Sequence, residues 1–133
     1  MKVDNWVAAV TLLALLTYFW TATGVARARR KTGVSPPAMT GPPELERAIR
    51  VQMNTLEWLP LFLPSMWLFA WYWDGRLAAA IGLVWIVARI HYAVSYAREP
   101  SKRGLGFGLQ AGATMILLFG ALGQAIFSAA TGG

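Results

Sequence analysis

Apolar residues along this chain fall into four long blocks, separated by short polar or basic stretches. The first block covers about 6–26 and closes on Arg27, Arg29, Arg30 and Lys31. Crossing the hydrocarbon core takes about 20 residues of helix, so its length suits a membrane span. A secretory leader would carry its positive charge ahead of the apolar run, whereas here the charge mainly follows it. A polar connection containing VSPPAMTGPP comes next, and its paired prolines stop the helix and hold the chain extended. The second block opens polar, as ELERAIRVQMNTLE, and turns apolar from Trp58 to Trp73 with Pro60 and Pro64 inside it. Membrane helices tolerate such prolines where neighbouring groups satisfy the freed carbonyls. Trp71, Tyr72 and Trp73 beside Asp74 have the look of an interfacial aromatic anchor. Asp74-Gly75-Arg76 predicts a tight turn into a third block that carries Arg89 within it. A polar connection over 98–103 leads to a fourth block with no charge at all. The pattern predicts an all-α integral membrane four-helix bundle, a single domain over 1–133 with helices at about 5–27, 44–73, 76–99 and 104–130. Gly104, Gly108 and Gly112 recur every fourth residue, a spacing that lets membrane helices or subunits approach closely.

Composition sharpens this picture. Of 133 residues, 56% are hydrophobic and only 14% charged, against about a quarter charged in ordinary soluble domains. Cysteine is absent and His91 is the single histidine, so thiolate metal sites, a His-rich metal site and a cysteine nucleophile are all excluded. The net charge of +6 does not point to nucleic acid, because the basic residues cluster beside apolar blocks. It points to topology. The connections after blocks one and three hold most of the Lys and Arg, which places both in the cytoplasm and both termini on the opposite side.

The second block carries the chemistry. At about 100° per residue, Glu46, Arg47, Arg50, Asn54 and Glu57 share one helical face. A charge facing lipid costs at least about 2.5 kcal/mol, so this stripe must face a partner helix or a wet cavity. Block three offers Trp85, Arg89, Tyr92 and Tyr96 on one face, with Arg103 joining them if the helix continues past Pro100, and His91 pointing away. A self-satisfying network would pair Glu57 with Arg89 and Glu46 with Arg50. Arginine is nevertheless in excess at this end, with Arg29, Arg30, Arg47, Arg50, Arg89 and Arg103 against Glu44, Glu46 and Glu57. Guanidinium forks match carboxylate and phosphate oxygens, so the surplus favours an anionic ligand, of which a lipid headgroup is the plainest version. Several Arg, one carboxylate and an amide suit a ligand with carboxylates, an amine and peptide bonds. Glutathione has all of these and brings the thiol that the chain lacks; beside Arg that thiol ionises to the nucleophilic thiolate.

At these residues the sequence resembles the MAPEG family, the membrane-associated proteins in eicosanoid and glutathione metabolism. ARRKTGVSPPAMTGPPELERAIRVQMNTLEWLPLF is similar to that family's first loop and second helix, and ARIHYAVSYAREPSKR to the end of its third helix. The family pattern is met by Glu46, Arg47, Arg50, Gln52, Asn54, Glu57 and Pro60, and the nearest branch contains leukotriene-C synthase and the second microsomal glutathione transferase. Trp58 stands where that branch has Tyr. The resemblance implies a homotrimer in the lipid bilayer with sites between neighbouring chains. It implies that Arg50, Asn54, Glu57, Tyr92, Tyr96 and Arg103 bind glutathione from one chain, while Arg29 and Gln52 reach it from the next. Arg103 would activate the thiolate and Arg30 would stabilise charge developing on the electrophile.

The expected activity is therefore a membrane-bound glutathione transferase, with glutathione as co-substrate, acting on lipophilic electrophiles or reducing lipid hydroperoxides. The alternative is a non-catalytic lipid-binding membrane protein that assists a partner enzyme. A transporter lined by Arg89 and Glu57 is disfavoured, because the charges gather at one end of the bundle.

Overall fold

The computed structural model describes residues 4–132 as four long helices and one short turn of helix. Helix α1 spans Asn5–Thr32, α2 Pro43–Tyr72, α3 Gly75–Arg98 and α4 Gly104–Thr131, with a 3₁₀ turn at Pro100–Lys102 before α4. Asp4 starts α1 by accepting the Val7 N–H at 3.0 Å. The helix does not stop where the apolar run stops; it continues through Arg29, Arg30 and Lys31. Cations in the last turn sit favourably against the negative end of the helix dipole. Gly33 then ends it in the left-handed conformation at φ 74°, its N–H bonded to the Arg29 carbonyl. Asp74 proves to be the cap of α3 itself, accepting the Leu77 N–H at 3.0 Å, so the connection is only two residues, Trp73 and Asp74.

Helices α2 and α3 form the middle of the bundle, and each packs on both α1 and α4. The core lies between them. The Phe62 and Trp85 rings stack with centroids 4.2 Å apart, surrounded by Val7, Ala14, Met66 and Leu117. Trp73 fixes the far end of α2 to α4 by donating its indole N–H to the Gly120 carbonyl at 2.9 Å. The outer surface is the reverse of a soluble protein's. Leu12, Leu16 and Phe19 on α1 and Ile116, Phe119 and Ile126 on α4 are all exposed. Helices α1, α3 and α4 are each long and apolar enough to cross a membrane, the last together with its preceding turn. The first half of α2 is too polar to meet the same test, for it holds Glu44, Glu46, Arg47, Arg50 and Glu57.

The expected packing role of Gly104, Gly108 and Gly112 is corrected within the chain. A side chain on any of them would meet no atom within 4 Å, and all three are exposed. Close approach is made instead by Gly106, on the inner face of α4. A Cβ there would stand 2.7 Å from the Tyr92 backbone N and 2.8 Å from the Ala88 carbonyl oxygen. The four-residue stripe is real but points outward.

Candidate active site

The basic end of the bundle gathers the last turns of α1 and α3 with the first turns of α2 and α4. The organising residue there is Arg89. Its side chain is fully buried, 1% exposed, and it does not pair with Glu57. It donates from Nη1 to Asn54 Oδ1 at 2.8 Å and from Nη2 to Thr55 Oγ1 at 2.7 Å, while its guanidinium lies 4.4 Å from the centre of the Tyr92 ring. Two neutral acceptors and an aromatic face thus replace the expected carboxylate. Glu57, two residues further along α2, faces outward and is exposed. Glu46 does not pair with Arg50 either; it accepts the Gly41 N–H at 3.0 Å and so ties down the loop before α2.

From Arg89 the cluster extends outward through aromatic rings. Tyr92 meets Tyr96 at 5.7 Å between ring centres, and the Arg103 guanidinium lies 5.7 Å from the centre of the Tyr96 ring. Arg103 does not reach this place along a continued helix. The α3 helix ends at Arg98, Glu99 is extended, and the 3₁₀ turn folds the chain back. Arg103 is then held by its own hydrogen bond from Nη1 to the Pro100 carbonyl at 2.9 Å. The structure therefore joins Asn54, Tyr92, Tyr96 and Arg103 in one contiguous group.

Arg50 and Glu57 flank Asn54 on α2, both exposed and without side-chain hydrogen bonds among the described residues. Trp58 meets Phe107 of α4 edge-on at 5.6 Å, so this face borders the seam between α2 and α4 and opens sideways from the chain. Gln52 is half-buried, on a different side of α2 from Arg50. Arg29 and Arg30 stand apart from the cluster. Arg29 donates from Nη1 to the Ala38 carbonyl at 2.8 Å and the Val34 carbonyl at 3.4 Å, holding the α1–α2 loop, while Arg30 is exposed. Among the described residues, the salt bridges are Lys31 with Glu44 at 3.2 Å and Lys102 with Glu99 at 3.3 Å. Neither uses an arginine, so the guanidinium surplus survives folding. No group of His, Cys, Asp and Glu capable of holding a metal occurs among the described residues.

Thr55 and Phe107 were not singled out from sequence. Thr55 is buried at 1% exposure, and its position next to Asn54 turns it toward the core, where a buried arginine on a facing helix needs an acceptor. That need was the available signal. Phe107 gave none, being one more apolar residue in an apolar helix.

A bundle of this kind, with a basic and aromatic cluster at one end of apolar helices, defines an integral membrane protein with a polar site at its rim. The MAPEG family model matches residues 7–123, and the chain belongs to the MAPEG family. It is 41% identical to human microsomal glutathione S-transferase 2 over 119 residues, 89% of this chain and 81% of that protein. It is 45% identical to guinea-pig (Cavia porcellus) leukotriene C4 synthase over 96 residues, 72% of this chain and 64% of that one. An uncharacterized protein of Synechocystis sp. is 50% identical over 117 residues, 88% of this chain and 85% of the other.

Proposed function

We propose that this protein is a membrane-bound glutathione transferase that joins glutathione to lipophilic electrophiles. The observation that carries the proposal is the folding of Arg103 onto Tyr96, in one cluster with Tyr92 and Asn54, at an end where no arginine has a carboxylate partner among the described residues. Relatives named as glutathione S-transferase and leukotriene C4 synthase support the same reaction class.

In this reading Arg50 and Glu57 bind the charged ends of glutathione, a carboxylate and the amine respectively. The Asn54 amide, its oxygen taken by Arg89, presents N–H to a ligand oxygen. Tyr92 and Tyr96 line the tripeptide, and Arg103 places a positive charge beside its sulfur. A cation there lowers the thiol pKa from its usual value of about 8.5 and supplies thiolate at neutral pH. The sulfur then forms a bond to the electrophilic carbon, the leaving group departs with its electron pair, and the thiol proton passes to water. Arg30 stabilises the negative charge that develops on the departing or opening oxygen. With a lipid hydroperoxide, two glutathiones would yield their disulfide, an alcohol and water.

The functional unit is a homotrimer in the bilayer. The separation of Arg29 and Gln52 from their own chain's cluster supports this, as does the outward glycine stripe at Gly104, Gly108 and Gly112. Arg29 and Gln52 then serve the neighbouring site. Helix α2 crosses the membrane with the other three, its polar half screened at the subunit boundary. The basic end lies toward the cytoplasm, with both termini opposite.

The test is conjugation of 1-chloro-2,4-dinitrobenzene by the purified protein, with Arg103→Ala beside it. Activity in the native chain and a loss of about 10²-fold or more in the variant are expected. Equal rates would remove Arg103 from the mechanism. Failure of glutathione to stabilise the detergent-solubilised protein would favour the non-catalytic lipid-binding alternative.

A further inference from the structure

Helices α1 and α3 part at the basic end and leave a crevice of about 490 Å³, floored by Ala48 and Val51 of α2. That size lies within the roughly 300–1,000 Å³ of small-ligand sites. Trp20 and Gly24 on one wall and Ala93, Val94 and Ala97 on the other make its deeper part apolar. Arg27, Arg47 and Arg98 ring its mouth, with Glu44 as the one carboxylate. Glu44 is already engaged by Lys31 at 3.2 Å, so three guanidinium groups remain uncompensated. From Trp20 up to Arg27 the wall rises about 10 Å at 1.5 Å per residue. None of the residues assigned to glutathione lines this space, for α3 turns Ala93 and Ala97 toward it and Tyr92 and Tyr96 into the cluster with Arg89 and Arg103.

We infer that the crevice binds one anionic phospholipid, its phosphate among Arg27, Arg47 and Arg98 and the start of an acyl chain between α1 and α3. Both halves of the site select this occupant. A soluble anion would satisfy the arginines and leave the apolar walls wet. A neutral apolar ligand would fill the walls and leave the positive charge at the mouth unmatched. An amphiphile with a negative head does both, and arginine forks match phosphate oxygens. The place is also right, since basic pockets between membrane helices on the cytoplasmic side take anionic headgroups. Gly24 bears on the same point: a side chain there would meet nothing within 4 Å, so the glycine leaves space that a larger residue would occupy without a clash. The inference rests on the membrane-helix architecture and on the proposed orientation, and it stands apart from the glutathione site.

The experiment uses the full chain in nanodiscs of phosphatidylglycerol or phosphatidylcholine with identical acyl chains, released into native mass spectrometry to count retained lipid. One phosphatidylglycerol per chain is expected, preferred over phosphatidylcholine by roughly tenfold or more. Gly24→Leu, which fills the apolar part, should abolish that preference. The triple variant Arg27→Gln, Arg47→Gln, Arg98→Gln should abolish it independently. The number of chains per particle and stabilisation by glutathione should be unchanged in both variants. Equal retention of the two lipids, an undiminished preference in either variant, or a changed number of chains per particle in Gly24→Leu overturns the proposal; the last outcome would make the crevice a contact between chains.

Discussion

Replacing Arg89 by Leu separates two roles that a buried charge can have. The side chain is 1% exposed and makes charge-assisted hydrogen bonds of 2.8 Å to Asn54 and 2.7 Å to Thr55. Each such bond contributes about 1.5–3 kcal/mol, and the cation over Tyr92 adds about 2 kcal/mol. Against these stands the effective penalty of several kcal/mol for burying the ion. The terms nearly cancel, and removal of Arg89 strands no opposite charge because both acceptors are neutral. Arg89→Leu should therefore shift the unfolding free energy in detergent by less than about 2 kcal/mol. Its effect on the ligand should be larger. Without Arg89 the Asn54 amide is free to turn, and loss of one aimed hydrogen bond of about 1.4 kcal/mol weakens glutathione about tenfold. The assay is denaturant or thermal unfolding with and without a glutathione titration, run on Arg89→Leu, Glu57→Gln and the double variant. If Arg89 were the partner of a buried Glu57, its removal would cost about 3–5 kcal/mol, and Glu57→Gln would restore most of it. That pattern would refute the assignment.

Further outcomes follow from the same geometry. Gly106→Ala should destabilise the chain by about 1–3 kcal/mol, because its Cβ would press on the backbone of Ala88 and Tyr92, atoms that do not move aside cheaply. Gly108→Ala, with nothing within 4 Å, should leave the fold of the single chain intact or stabilise it by up to about 1 kcal/mol, measured by thermal unfolding. Chemical cross-linking should trap three chains and no higher species, and Gly108→Trp should reduce that product if the outward stripe joins subunits. Pro100→Ala should lower conjugation more than it lowers stability, because the turn that carries Arg103 back to Tyr96 begins at Pro100 and loses the φ that the ring fixes.

Helices α1, α3 and α4 were legible because membrane spans declare themselves by length and by scarcity of charge, and α2 because its polar first half keeps a helical spacing. Their ends were less so. The α1 helix outlasts its apolar run, since a helix in water-facing surroundings can continue through arginines that its own dipole favours. The residues of the arginine-rich end could be assembled from helical spacing, but their partners could not. Spacing shows which side chains share a face, and it cannot show that Arg89 prefers an amide and a hydroxyl to the carboxylate of Glu57. The glycines illustrate the same gap. The four-residue stripe meets nothing within the chain, while the singleton Gly106, invisible to any periodicity, makes the close contact with α3. The crevice between α1 and α3 was illegible because it arises from how two helices splay, which no local pattern encodes.

The ionisation of bound glutathione tests the central claim most directly. It is read as ultraviolet thiolate absorbance when the purified protein is titrated with glutathione at pH 7, with Arg103→Ala as control. A free thiol of pKa about 8.5 is only a few per cent thiolate there. The account predicts a thiolate signal that saturates with the bound sites and largely disappears in Arg103→Ala. Glutathione that binds with equal affinity to both proteins and stays protonated in both would contradict it.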